Sequence, residues 1–386
     1  MNFRFRPPLR AAALSTLLVW FAPRAARAEE YVRYKYQDYR ESGGRVAIEV
    51  HSAAIEKDLG PTMHLRLEGV VDAITGATPS GQPAPAGSDQ VPLSKLTDRR
   101  KAWNGALSRQ FGRVNVALGA GNSRESDYVS DGWSLNTLTD FNQKNTTLLA
   151  GVAGTHDDVK VFHQRGLARK RTNDLILGVT QLLDPRTSAT FNVTWGRQTG
   201  YLADPYKLVQ KDTELFPGIS LPLTFPENRP NERDKWIALA ALNRSFPAAR
   251  GALDASWRYY RDSFGVASHT VELAWFQRLG ESLILRPGLR FHDQDAADFY
   301  YYRLDGRPIV PLQGPPRPQG PFYSSDWRLS ALRSVNYGAK LIWTVTAALE
   351  FDAAFEIYDM RGRDGVTPQS AYSRANILTL GAKFSW

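Results

Sequence analysis

The 386 residues include no cysteine, which excludes disulfides, thiolate metal sites and cysteine nucleophiles. The formal charge of +9 suggests a polyanion binder, but Arg4, Arg6, Arg10, Arg24 and Arg27, with no acid among them, fall in the first 28 residues and leave 43 basic against 39 acidic groups in the rest. So thin an excess, with no Lys/Arg-rich stripe, argues against nucleic acid as a partner.

In chain order, the first element is a leader. A basic head ending at Arg10 precedes an apolar run from Ala11 to Ala22, too short to span a bilayer, and Ala26-Arg27-Ala28 supplies small residues at the positions a signal peptidase reads. The expected organisation is a cleaved signal peptide over 1–28 and one domain over 29–386. No later segment is apolar for eighteen residues, so helical spans are excluded. The mean hydropathy of −0.38 does not exclude the membrane, because a barrel alternates lipid-facing and lumen-facing residues that average out.

Beyond the leader the dominant pattern is alternation. Met63-His64-Leu65-Arg66-Leu67-Glu68 has apolar odd and polar even positions, and Leu283 to Phe291 and Leu349 to Ile357 repeat the pattern. Period two means strand. Sixteen strands are expected, near 31–40, 46–57, 62–74, 101–111, 113–122, 145–157, 159–169, 171–182, 187–199, 233–246, 251–262, 267–279, 282–294, 324–345, 349–361 and 372–386. Dropping 31–40 and 159–169, the weakest, gives fourteen. Several have the ten to fourteen residues that a tilted strand needs to cross a bilayer. Tight turns such as Leu59-Gly60-Pro61, Phe111-Gly112 and Leu279-Gly280 interleave with longer segments, so 75–100, 123–144, 200–232 and 295–323 are expected as extracellular loops, with 200–232 able to fold over the pore. The fold class is therefore all-β: a single transmembrane antiparallel up-and-down barrel.

The even positions give the expected lumen lining: His64, Arg66, Glu68, Asp72, Asp254, Arg258, Glu272, Arg286, Arg290, Lys340, Glu350, Asp352 and Glu356. Their mixed signs suit either a wet, selective pore or a wall knitted shut by ion pairs. Trp103, Trp236, Trp257, Tyr259, Tyr260, Trp275, Phe276, Tyr300 to Tyr302, Trp327, Trp343, Tyr358 and Trp386 sit near predicted strand ends, where an amphipathic ring suits the membrane interface. The chain closes on Thr379-Leu380-Gly381-Ala382-Lys383-Phe384-Ser385-Trp386. Thr379, Gly381, Phe384 and Trp386 fit the C-terminal pattern read by the barrel-assembly machinery, which is then an expected partner beside outer-membrane lipid.

Chemistry is sparse. The six histidines form no metal motif, His156-Asp157-Asp158 with His163 being the nearest approach, and no nucleophile elbow is present, so no catalytic residue, cofactor or metal is assigned. The acid-, hydroxyl- and aromatic-rich run from Glu125 to Asn142 suits a hard cation, but an ordered loop held by Asx-turns explains it as well.

Glu56-Lys57-Asp58-Leu59-Gly60-Pro61, Thr75-Gly76-Ala77-Thr78-Pro79-Ser80-Gly81, the Glu125-Ser126-Asp127-Tyr128 run into Asn136-Thr137, and Leu183-Asp184-Pro185-Arg186 together resemble the uncharacterised bacterial family called domain of unknown function (DUF) 3570 over nearly the whole mature chain. The resemblance implies an outer-membrane barrel and supplies no substrate or catalytic residues. The expectation is a monomeric porin-like channel or transporter for a small solute in the bacterial outer membrane. A non-conducting barrel serving as a surface or partner scaffold is the alternative, and an outer-membrane enzyme comes third.

Overall fold

The computed structural model describes residues 30–161, 166–314 and 316–386. The leader and its cleavage site lie outside them. Eighteen strands form, and sixteen close into one antiparallel barrel; β10 (Leu208–Phe216) and β11 (Ile219–Pro226) make a separate hairpin. The barrel runs β1 (Tyr31–Glu41), β2 (Ala47–Asp58), β3 (Met63–Pro79), β4 (Leu93–Phe111), β5 (Val114–Arg124), β6 (Tyr128–Phe141), β7 (Thr146–Lys160), β8 (Leu167–Asp184) and β9 (Thr187–Gly200). It continues through β12 (Glu232–Phe246), β13 (Gly251–Asp262), β14 (Ala267–Leu279), β15 (Leu283–Gln294), β16 (Leu332–Thr344), β17 (Leu349–Gly362) and β18 (Arg374–Ser385). Closure is made by β1, which pairs with β2 on one side and with β18 on the other, from Tyr31 opposite Ser385 to Glu41 opposite Ala375. The expected strand 31–40 is therefore the one that seals the sheet.

Closure leaves no unpaired edge, which is the condition a sheet must meet in hydrocarbon. The outer face completes the argument. Val32, Leu67, Leu118, Leu177, Phe191, Leu273, Leu341, Phe355 and Phe384 project from strands all around the wall and are 42% or more exposed. A soluble protein does not leave so continuous an apolar surface to water, whereas a bilayer covers it. Trp103, Trp236, Trp257, Trp343 and Trp386 stand on this face as expected of interface anchors.

The two rims differ. Consecutive strands at the rim holding both described ends are joined by 2 to 4 residues, as at 112–113 and 185–186, where Arg186 N donates to Asp184 Oδ1 at 2.7 Å. Gly112 takes φ +57, a left-handed geometry that a two-residue hairpin needs and a side chain resists. At the far rim, 80–92, 201–231, 295–331 and 363–373 form long loops. Short turns mark the periplasmic side of such barrels and long loops the outer side.

Four expectations need correction. Of the expected loop 75–100, residues 75–79 belong to β3 and 93–100 to β4, leaving 80–92 as loop. Residues 128–141 of the expected loop 123–144 are strand β6: the serines, Gly132 and Asn136 that suggest a loop lie on its inward face, opposite Gly121 and Gly151, while Trp133 and Leu135 face out. The expected strand 159–169 does not exist as a unit, its described residues closing β7 and opening β8. The expected strand 324–345 begins only at Leu332; Trp327 is buried in the outer loops against Tyr372, the rings 6.1 Å apart, and Tyr300 to Tyr302 belong to those loops too. Missing one strand and inventing another leaves the total of sixteen unchanged.

Candidate functional site

The interior and the loops above it hold the polar side chains that a barrel does not need for closure. Cross-strand register fixes which residues face inward. Starting from the recess lined by Lys35, Arg286, Lys340 and Glu356, alternation places His64, Arg66, Glu68 and Asp72 on the inner face of β3, Asp254 and Arg258 on β13, Glu272 on β14, Arg286 and Arg290 on β15, Lys340 on β16, and Glu350, Asp352 and Glu356 on β17. Tyr260, Phe276 and Tyr358, expected at the lipid interface, share that inner face instead.

Several of these side chains meet. His64 Nδ1 lies 2.9 Å from Asp58, Arg66 sits 3.5 Å from both Glu56 and Glu68, Glu272 and Arg290 pair at 3.2 Å, and Lys340 and Asp352 at 2.9 Å. Asp72 is taken by Arg100 at 2.6 Å. The reading of sequence misses Arg100, Arg33 and Lys35, although the last two alternate with Val32 and Tyr34 in the short β1. It also misses Lys235–Asp174 at 3.1 Å and Lys170–Asp157 at 3.4 Å, which lie on strands whose other inward residues are mostly small or uncharged.

The wall from β4 to β9 has a different character. Beside the charged Arg100, Asp157, Lys170 and Asp174, its inner face carries Ala106, Ala117, Gly119, Gly121, Gly132, Gly151, Ala153 and Gly178 with a few amides and hydroxyls. A repeated arrangement explains the glycines. Asn104 lies across Gly121, Ser134 across Gly119, Asn136 across Gly151, Asn192 across Gly178 and Asp174 across Gly196, each polar tip occupying the space a Cβ would fill; Asp352 does the same to Gly381 in the charged sector. At these positions the polar side chain rests against the wall beside its cross-strand glycine. In the charged sector, the Glu272 and Arg290 side chains on β14 and β15 point inward yet remain 53% and 50% exposed.

Over the outer rim the long loops meet. The loop 201–231, rooted between β9 and β12, reaches the top of β3, six strands away by the shorter route: Leu208 N donates to Ser80 O at 3.0 Å and the Lys207 ammonium to Pro79 O. The Tyr206 hydroxyl donates to Asp127 in the β5–β6 turn. Loop 295–331 joins through Asn228 and Tyr323, whose backbones exchange hydrogen bonds at 3.0 and 2.8 Å, and Ser325 Oγ donates to Leu208 O at 2.8 Å. Loops 80–92 and 363–373 are tied by Val91 N to Ser370 Oγ at 3.1 Å.

At the centre of this cap three cations, Lys207, Arg229 and Arg328, face three carboxylates, Asp204, Glu227 and Asp326. Arg229 bridges Glu227 and Asp326 at 2.7 Å each, and Arg328 spans Asp326 and Asp204. Glu227 also accepts from Asp204 N, from the Ser324 hydroxyl and from a second Arg229 nitrogen. All three carboxylates and Lys207 are buried. Burial pushes the Glu227 carboxyl up to about 7, with Asp326 and Asp204 adding to the rise and Arg229 opposing it. Burial acts on Asp326 too, but Arg328 and Arg229 outweigh it and hold that group below the usual carboxylate range. Burial lowers the Lys207 ammonium.

The acidic run singled out in the sequence brings Glu125 and Asp127 near Asp98, with carboxylate oxygens within 4.8 Å of one another. Asp98 Oδ1 accepts from Arg99 N at 2.7 Å and Ser126 N at 3.3 Å, so the turn's own backbone organises the group. His156 stands in register with Asp131 and Arg171, while His163 lies outside the described residues. At the C-terminus, Thr379 accepts from Gln37 at 3.2 Å inside the barrel, and Phe384 and Trp386 stack at 6.2 Å on the outside.

Among solved structures the chain is similar to the siderophore receptor PirA from Acinetobacter baumannii, with TM-score 0.43 and 13% identity over 86% of this chain and 53% of that one. It is also similar to a bacterial polysaccharide outer membrane secretin (TM-score 0.48, 7% identity, 93% and 98% covered) and to a loop L8 deletion mutant of OmpT, an outer membrane protein of Vibrio cholerae (0.42, 8%, 93% and 98%). The chain spans little more than half the length of that receptor, and at these scores the likenesses carry no functional weight. No curated protein matches the sequence. A family model described as "Protein of unknown function (DUF3570)" matches residues 11–373, nearly the whole chain, and with the closed sixteen-strand barrel in view the chain belongs to that family of outer-membrane barrels.

Proposed function

We propose that the protein is a gated channel for a small polar solute in the bacterial outer membrane, exported by its leader and working as a monomer. The observation that carries this reading is the half-exposed Glu272–Arg290 pair: charged groups pointing into a closed barrel stay that accessible only where the bore holds water. The Asn and Ser side chains that rest against the wall leave room in that bore, and the interlocked outer loops supply a gate. The C-terminal Phe384 and Trp386 support delivery by the barrel-assembly machinery. No constellation of nucleophile and base enters this reading, which leaves catalysis out.

The test is planar-bilayer recording of the refolded mature chain beside a variant lacking 208–226, the hairpin that crosses the mouth. Unitary steps are expected from both, with longer open times in the trimmed form. A second reading, a closed barrel that displays a docking surface, is favoured by the hairpin's exposed Leu215, Phe216, Ile219 and Leu221. The absence of steps from both proteins, with the barrel verified as folded, would decide for it.

A further inference from the structure

Between β15 and β2 the inner wall is hollowed into a recess of about 330 Å3, at the lower end of the range for small-molecule sites. Its charges are Lys35, Arg286 and Lys340 against Asp352 and Glu356, an excess of one positive charge when all are ionised. Only Lys340 and Asp352 satisfy each other, at 2.9 Å. Among the described residues neither Lys35 nor Arg286 has a carboxylate within 4.0 Å. Arg286 is instead placed by Phe276, its guanidinium carbon 5.1 Å from the ring centroid. Glu356 accepts one long hydrogen bond from Asn336, at 3.4 Å.

The space in front of these groups is not accidental slack. Gly288 leaves it open: a Cβ there would meet nothing nearer than Leu273 O at 3.7 Å, so the strand tolerates a side chain and the recess would lose volume to one. The hydroxyls of Ser52 and Thr379 line the same hollow. Resting on the channel reading, we propose that this recess binds a small hydroxylated monocarboxylate. A guanidinium fork and an ammonium, neither with a carboxylate of the protein beside it, suit a carboxylate. The single excess charge suits a monoanion, because a dianion would add net negative charge beside Glu356 and Asp352. Ser52 and Thr379 offer hydrogen bonds to solute hydroxyls.

The experiment compares gluconate, glucose and glucosamine, of one carbon number and three charges, as blockers of KCl current through the reconstituted mature protein. Saturable block by gluconate, at least about tenfold tighter than by the other two, is expected. Lys35→Gln with Arg286→Gln abolishes that preference, Lys35→Glu with Arg286→Glu transfers it to glucosamine, and Gly288→Val weakens gluconate block without moving the reversal potential in a KCl gradient. Equal block by all three sugars, or block unchanged in the Gln and Val variants, overturns the proposal. If no unitary steps appear, the channel reading fails by itself, and the site is read by equilibrium dialysis of labelled gluconate against folded protein in micelles. Saturable binding lost in the double Gln variant supports it, and no binding overturns it.

Discussion

Two ion-pair systems in this molecule use the same side chains in different solvents. In the lumen, Glu272 and Arg290 pair at 3.2 Å with half of each side chain exposed. In the cap, Arg229 reaches Glu227 at 2.7 Å with both carboxylates of its bridge only 1% exposed. Pair distance differs little; water differs greatly. A wet pair gains little from its Coulomb attraction, whereas a dry one leaves a costly orphan when either partner is lost. The lumen charges are therefore left accessible, while the cap uses its charges to hold loops together.

The sharpest way to break this contrast is Arg229→Ala. It strands two buried carboxylates and should cost the docked loops about 3–5 kcal/mol. Hydrogen exchange over 201–231 and 320–331 should accelerate sharply with the barrel strands unchanged; protection retained in those loops would mean the cluster is wetter than its burial implies.

The next effect is set by pH. Docked, Glu227 titrates at about 7; released into water it returns to its ordinary value near 4.5. The docked form holds its proton more tightly, so acid favours docking: the contribution is fully present below about 4.5, declines as pH rises toward 7 and is gone above it, spanning about 3 kcal/mol at most. Channel open probability should thus rise between pH 5 and pH 8. The neighbouring Lys207 is shifted in the opposite sense, so Glu227→Gln isolates the glutamate's share, and a pH response undiminished in that variant would remove Glu227 from the gate.

The smallest effect belongs to the lumen. Glu272→Gln should change stability by less than about 1 kcal/mol, as an exposed pair does, read as the urea midpoint in micelles. A larger loss would show that the bore is drier than the exposed side chains indicate.

The sequence states the barrel because the lipid face is written in every second residue, and Met63 to Ala73 shows it without ambiguity. It hides β6 because the inward face of 128–141 is largely serine, glycine and asparagine while Asp131, Thr137 and Thr139 interrupt the apolar outward face of Trp133 and Leu135, so the alternation is lost. The lumen charges on β3, β13 to β15 and β17 follow from the same alternation. The cap is illegible: Asp204, Glu227 and Arg328 sit in segments without period, and only three-dimensional closure brings residues about 120 positions apart into one cluster. Proline-rich composition signals that 201–231 is a loop without saying that its charged residues are buried.

The glycines beneath Asn104, Asn136 and Asn192 bear on how such a tube acquires its calibre. Each amide rests in a vacancy left by its cross-strand neighbour. A methyl group in that vacancy would lift the amide toward the axis while leaving the backbone ladder intact. The width of the lumen in this architecture is thus adjustable one residue pair at a time, with no change in strand number or shear.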